Sequence, residues 1–386
     1  MVISIPGFIV FSAGQDADRL VAGIPAAARA VREAHLAGLT ACHVMGDPDW
    51  QPRAATRAEI ARLSGTMPVA FANDVMQPGA RFAVIQGDML PPARAIAAAV
   101  AGGNEPVEGV EIASGHGIED AVQRAIAAGR NAAARLNASG HAILKGTAKP
   151  TDGIVSRFIN RPVSQSISAV ALRVPGFRPV HATIGTALIA LAMVACLLLG
   201  GEWGLVAGAI LFQAASIFDG VDGEVARATW RTSPEGARMD SLIDAMTNLA
   251  FLAGVAVNLQ LQGRTVAASL GYTGLALLAI GLFLIGRIAA RSNAPFSFDL
   301  VKEHYRAKGA ASNRASGKPG SIDGTGEQKP SQIMQWLTFM TSRDFFALVF
   351  AVLIAMGLAA QVLAMFAIAA AGWLIAVIYA IAPKQA

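Results

Sequence analysis

Cysteine and charge are both scarce in this chain. Two cysteines among 386 residues, Cys42 and Cys196, allow one bridge at most, which excludes a disulfide scaffold. Cys196 lies inside an apolar run, so both read as buried, reduced thiols. Charged residues make up 15% of the chain, against roughly 25% in an ordinary soluble domain. Hydrophobic residues reach 54% and mean hydropathy is +0.49. Disorder and a fibrous repeat are excluded, and a purely soluble enzyme is disfavoured. Residues Met1 to Phe11 lack a basic leader and a small-residue cleavage site, so no secretory pattern is expected there. What the chain does have is a net charge of +5. That could serve nucleic acid, an anionic membrane face or a phosphorylated substrate, and its placement decides.

Up to about Pro150 the chain is Ala-rich, and short apolar strands alternate with helical stretches. Ile3 to Phe11, Ala41 to Met45 and Arg81 to Ile85 read as strands; Ile24 to Leu36 and Ile118 to Leu136 read as helices. Such alternation predicts an α/β layer with a mainly parallel sheet. From Thr183 to Gly201 there is no charge at all, enough for a membrane helix. Leu205 to Phe218, Leu249 to Leu261, Val266 to Ile285, Phe345 to Ala360 and Val362 to Ile381 follow. The second and third of these six reach spanning length only by including acids, a cost in lipid unless those acids share a cavity.

The fold expected is therefore two-part. An α/β domain over 1–148 leads through an interfacial amphipathic helix and linker, 149–177, into an all-α polytopic membrane domain over 178–386. That domain carries six transmembrane helices and a flexible cytoplasmic loop at about 292–335, Gly- and Ser-rich between Ala310 and Ser331. Lys145, Lys149, Arg157, Arg161, Arg173 and Arg178 precede the first membrane helix. Arg227, Arg231 and Arg238 join the second to the third, and nine more cations lie from Arg287 to Arg343. The opposite side has Arg264 alone. Both termini and the acids are thus expected on the cytoplasmic side of the inner membrane. The positive charge then belongs to a membrane surface and anionic substrates, and nucleic acid is not expected as a partner.

Asp219 and Asp222 are three apart, and Asp240 and Asp244 four apart, so each pair shares a helix face. If the two helices pack side by side, four carboxylates converge and need neutralising. Oxygen ligands of this kind suit Mg²⁺ or Mn²⁺. Gly220, Gly223, Ala226 and Gly236 leave room for a ligand. Ordinary helix-end charges, or an ion pathway in a transporter, are the alternatives; the spacing disfavours both.

The pattern D-x-x-D-G-x-x-A-R-x8-G-x3-D-x3-D, at Asp219, Asp222, Gly223, Ala226, Arg227, Gly236, Asp240 and Asp244, resembles the signature of the CDP-alcohol phosphatidyltransferase family at every fixed position. The resemblance covers roughly Lys149 to the C-terminus. It implies transfer of a phosphoalcohol group from a CDP-alcohol to an acceptor hydroxyl, with release of CMP. Asp219, Asp222 and Asp240 would hold two divalent ions against the pyrophosphate. Asp244, also near the metals, would take the hydroxyl proton. Gly223, Ala226, Arg227 and Gly236 would shape the nucleotide pocket. Many members pair as homodimers, and one is expected here.

The stretch Lys149 to Pro162 resembles the leading segment of a subset of the family in which a cytidylyltransferase is fused ahead of the membrane domain. Those enzymes join CDP-inositol to inositol phosphate, and either substrate could carry lipid here. Arg157 and Arg161 could clamp an acceptor phosphate or anchor the segment to anionic lipid. His181 reads as structural or as a nucleotide-edge contact. The remaining histidines show no metal-ligand spacing. Ser12-Ala13-Gly14, Arg19, Gly23-Ile24-Pro25 and Asp88 are similar to landmarks of the nucleotidyltransferase fold. The second loop glycine and the lysine expected after Pro25 are missing, so the resemblance implies a degenerate, non-catalytic relative.

Overall fold

A computed structural model of the protein describes residues 5–71, 81–102, 106–114, 117–149, 152–292 and 343–381. Two compact units emerge. The first comprises Met1–Lys149, Gln165–Pro179 and Gly223–Thr232; the second comprises Pro150–Ser164, Val180–Asp222 and Ser233–Ala386. The loop expected at 292–335 lies almost wholly outside the described residues.

In the first unit the chain runs β1 (Gly7–Val10), α1 (Gly14–Ala17), β2 (Leu20–Val21), β3 (Ile24–Pro25), α2 (Ala26–Leu36), β4 (Cys42–Met45) and α3 (Ala54–Leu63). It continues with β5 (Val69–Phe71), β6 (Phe82–Gln86), α4 (Ala93–Val100), β7 (Val110–Ala113), α5 (Gly117–Ala127) and α6 (Ala132–Lys145). The main sheet has the order β5-β4-β1-β6-β7. All its pairs are parallel except β6 with β7, which is antiparallel. In register, Ile9 of β1 lies between Val44 of β4 and Ile85 of β6. β1 and β6 are buried on both faces, which is why they read as continuous apolar runs. The alanines of α2 (Ala26, Ala27, Ala30, Ala34) are buried against this sheet with no bulk to hold the layers apart.

One expected helix is broken. Ile118 to Leu136 is divided into α5, a 3-10 turn at Ala128–Asn131, and α6. The break falls where Gly129 meets the end of β1: Ser12 Oγ donates to its carbonyl at 3.3 Å, and a Cβ there would sit 2.1 Å from that oxygen. Tertiary contact, invisible in helical periodicity, overrides local preference.

Cys42 is fully buried in β4, and burial pushes its thiol up to about 12 from 9.0. The unfolded chain therefore loses that proton first. The thiol's contribution to stability is complete below pH 9.0 and is lost as pH rises towards about 12. Alkylation of Cys42 at pH 8 is expected only after denaturation, as peptide mass analysis would show. Modification at the same rate in the native protein would contradict its burial.

A π-helical turn at Ser156–Asn160 leads into α7 (Arg161–Ala171), within the stretch expected to be amphipathic and helical. Then come α8 (Pro179–Leu199), α9 (Gly201–Ala228), α10 (Pro234–Leu261), α11 (Thr265–Ser292), α12 (Arg343–Ala355) and α13 (Ala359–Ile381). Five of these, α8 to α11 and α13, are long and apolar enough to cross a membrane. Large apolar side chains stand exposed along them, among them Leu188, Leu191, Phe283 and Ile368. Lipid, unlike water, makes that arrangement favourable, and the region is that of a multi-pass membrane protein.

A sixth span does not emerge among the described residues. The Phe345 to Ala360 run forms α12, whose 13 residues cover about 20 Å at the helical rise against the ~30 Å of a hydrocarbon core. It stops at a turn through Gly357 (φ +80°) before α13 begins.

Helices of the second unit interlock through small residues. Leu197 of α8 fills the space above Gly208 of α9 and Gly254 of α10, and Trp373 of α13 covers Gly281 of α11. The rings of Phe212 and Phe251 stack at 3.9 Å between centroids, which fixes α9 beside α10. Asn258, 1% exposed on α10, donates to the carbonyls of Leu197 at 2.6 Å and Gly201 at 2.9 Å, across the turn joining α8 to α9. Asn258→Leu is expected to cost about 1–3 kcal/mol, because two buried carbonyls lose their donor. A detergent melt would read this, and an unchanged midpoint would refute it.

Candidate active site

The four motif acids all lie in the second unit, on two adjacent helices. Asp219 and Asp222 belong to α9, and Asp240 and Asp244 to α10. Asp222 is the most enclosed, 8% exposed, whereas the other three are half-buried. Thr183 Oγ1 of α8 donates to Asp222 Oδ2 at 2.9 Å. The Asp222 side chain lies within hydrogen-bond reach of Asp240 and feels the charge of Asp219 as well. Three helices thus meet at one carboxylate.

The local sequence explains the meeting. Ser233 caps α10, its Oγ accepting from Gly236 N at 3.0 Å, with Pro234 at the first helical position. This start places Asp240 in the second turn. α9 presents a second face as well: Gln213 Nε2 donates to Asn160 Oδ1 at 2.9 Å, and Ser216 Oγ donates to Asp344 Oδ1 at 3.0 Å. Further along that face, a Cβ on Gly220 would sit 3.3 Å from Arg161 Nη1. Arg161 is held in place by a two-point pair with Asp152, Nε–Oδ2 at 2.8 Å and Nη2–Oδ1 at 3.0 Å. A fixed guanidinium therefore flanks the glycine next to Asp219.

Other expected residues fare differently. Arg157 is exposed in the π-helical turn, and Arg161 is half-buried at the start of α7. In the first unit Arg227 donates from Nε to Thr147 O at 2.8 Å, and its Nη1 would lie 2.9 Å from a Cβ on Gly223. Gly223 is thus what lets the guanidinium lie flat on the helix. Ala226 is half-buried. Gly236 is exposed and takes part in the cap. His181 is exposed in the first turn of α8. Thr183 and the Asn160–Gln213–Ser216–Asp344 set were not anticipated. Their only sequence signal was polarity within or beside apolar helices.

Two observations bear on the α/β unit. Asp88, 1% exposed, is paired through Oδ2 with Arg135 (Nε at 2.7 Å, Nη2 at 2.5 Å), which neutralises it. The Trp50 ring covers Gly14, where an added Cβ would fall 2.2 Å from its Cδ1, and its Nε1 donates to Asp18 at 3.1 Å.

An all-oxygen donor set suits a hard divalent cation. Two carboxylates within hydrogen-bond reach repel unless a proton or a cation lies between them. On that chemistry Asp219, Asp222 and Asp240 fit such an ion. Among the described residues, no three or more His, Cys, Asp or Glu side chains are placed so that they could hold a metal ion as they stand.

Residues 179–309, which contain all four acids, match the model of the CDP-alcohol phosphatidyltransferase family, so the chain carries a domain of that transferase family. Among curated relatives are proteins named "Bifunctional IPC transferase and DIPP synthase". The one from Aquifex aeolicus is 40% identical over 111 residues, 28% of this chain and 24% of that protein. The one from Thermococcus kodakarensis is 33% identical over 160 residues (42% and 34%), and the one from Rubrobacter xylanophilus 37% over 159 (41% and 34%). The matched stretches thus span between a quarter and a third of those relatives' length.

Proposed function

We propose that this chain is an integral membrane CDP-alcohol phosphotransferase, which moves a phosphoalcohol group from a CDP-alcohol to an acceptor hydroxyl and releases CMP. The observation that carries the reading is the convergence of Thr183, Asp219 and Asp240 on Asp222. Phosphoryl transfer depends on positioning and charge neutralisation rather than on covalent chemistry, and that convergence provides an anchor for both. Asp219, Asp222 and Asp240 would hold Mg²⁺ or Mn²⁺, two ions in all, with Asp244 close by. When bound, the metal supplies charge neutralisation at the diphosphate. Asp244, one turn beyond Asp240 on α10, accepts the proton of the attacking hydroxyl. Arg227, with Gly223, Ala226 and Gly236, borders the nucleotide. Arg161, oriented by Asp152 beside Gly220, receives an acceptor phosphate; Arg157 lies toward lipid headgroups.

The relatives' name favours an inositol-phosphate type of substrate pair, with a lipid on either partner as the variant to test. The α/β domain, over 1–148, is read as non-catalytic, on the strength of the Asp88–Arg135 pair and the ring over Gly14. The linker at 149–177 is read as lying on the cytoplasmic face of the inner membrane, with the domain at 178–386 dimeric and both termini cytoplasmic. The basic residues then face anionic lipid and substrate rather than nucleic acid. Purified protein with Mg²⁺ or Mn²⁺, offered CDP-inositol, CDP-diacylglycerol and CDP-glycerol with inositol phosphate or lipid acceptors, is expected to release CMP from one donor. Release from none, together with ion flux in vesicles, would favour a transporter instead.

A further inference from the structure

Ten residues lie between Arg227 and Arg238, and side chains of the α/β fold grip the first four of them, Ala228 to Arg231. α9 ends in a Schellman turn: Arg231 N donates to Ala226 O at 2.9 Å and Trp230 N to Arg227 O at 3.4 Å. The residue in the left-handed position is Trp230, at φ +51°. Glycine or asparagine ordinarily fills that position, because a bulky side chain is strained there. Here the indole lies under two guanidiniums, Arg29 at 4.6 Å and Arg32 at 4.1 Å from the ring centroid.

The carbonyls of Ala228, Thr229 and Trp230 each have an arginine donor from the α/β fold. Arg29, 2% exposed, donates to Ala228 O at 2.7 Å and also to Val21 O and Ala22 O, which ties the turn to the strand edge. Arg62 donates to Thr229 O at 3.0 Å and Trp230 O at 3.3 Å. Glu59 takes both Arg62 and Arg231. Burial lowers Arg29 to about 9, against the pull of Glu33, so it stays cationic at neutral pH and suits the negative end of α9. A small cavity of about 130 Å³ is lined by Arg29, Glu33, Trp230 and the motif residue Arg227.

We infer that the α/β domain is an intramolecular brace for the transferase, and that Arg29, Arg62, Glu59 and Trp230 are positioning residues for its reaction. Resting on the function proposed above, the assignment gives the domain a role that needs no nucleotide chemistry of its own. The braced turn leads back into the helix of Asp219 and Asp222 and forward into that of Asp240 and Asp244. Its conformation therefore sets the register in which the two acid pairs face one another. A strained tryptophan is retained in place of an unstrained glycine because only the ring can lie under Arg29 and Arg32 and add to the hold on the carbonyls.

That last point gives a sharp test on the full chain. Trp230→Gly removes the strain and the ring's contacts with Arg29 and Arg32 while leaving the bonds to the backbone carbonyls. A purely structural turn therefore predicts wild-type activity with equal or higher thermal stability. The brace predicts unchanged or higher stability with kcat lowered about tenfold to a hundredfold, as misplacement of a reacting group does, and donor KM within about twofold. Arg62→Ala is expected to follow the same split, and Arg62→Lys to recover a large part of kcat. Limited trypsin digestion reads the turn without turnover: cleavage after Arg231 should accelerate severalfold in Trp230→Gly and in Glu59→Gln. Wild-type kcat with wild-type cleavage in Trp230→Gly and Arg62→Ala would overturn the brace. If wild-type protein releases no CMP from any donor, the transferase reading fails, and the cleavage rates alone decide whether the turn is clamped.

Discussion

Asp244→Asn is expected to lower CMP release by about 10³-fold, in the middle of the range for loss of a general base, while the CDP-alcohol still binds within a few-fold of wild type. The substitution is isosteric, so α10 keeps its packing and Asp240, one turn earlier, keeps its place against Asp222. What disappears is the capacity to accept a proton from the attacking hydroxyl. An effect through metal affinity would be relieved by raising Mg²⁺ or Mn²⁺; an effect through the base would not. Equilibrium binding of a labelled donor beside single-turnover kinetics separates the two. Full activity in this variant would remove Asp244 from the chemistry.

Asp222→Asn should be comparably damaging for a different reason. Asp222 is where α8, α9 and α10 meet, through Thr183 and Asp240, with Asp219 as a further charge. An amide oxygen can still accept from Thr183, but the charge needed to hold a divalent ion is gone. Several kcal/mol of charge stabilisation correspond to a loss of about 10³-fold in rate. Without metal the variant should be as stable as wild type or more so, because removing one of three crowded carboxylates relieves repulsion. With metal, wild type should gain stability by mass action and the variant should not. Equal metal-induced shifts in the melting temperature of both proteins would contradict the role assigned to Asp222.

The site was legible in the sequence to the extent that helical spacing determines it. The separations of Asp219 from Asp222 and of Asp240 from Asp244 require a shared face on any helix, and both helices formed at the expected place. Thr183 was hidden because an isolated hydroxyl in a charge-free helix has no pattern; only packing makes it the partner of Asp222. Arg161 was singled out for its spacing from Arg157. Its two-point pair with Asp152, nine residues earlier across the π-helical turn, has no periodic signal in the sequence. In the α/β unit, β1, β4 and β6 were readable as buried apolar runs. The two-residue strands β2 and β3 and the antiparallel edge β7 were too short or too polar to show. The division at Gly129 and the early end of α12 follow from a tertiary contact and from a left-handed glycine, respectively. The grip on Trp230 left no trace at all, since its arginines lie about 170 to 200 residues earlier in the chain.

Titration of the EDTA-stripped full chain with Mn²⁺ in the presence of a CDP-alcohol, followed by electron paramagnetic resonance, most directly probes whether carboxylates from α9 and α10 act together on a cation. Saturable binding of two ions is expected, and loss of that binding alike in Asp222→Asn and Asp240→Asn, one from each helix. Wild-type stoichiometry and affinity in both variants would show that the two helices do not share a metal, and the proposed transferase mechanism would be wrong.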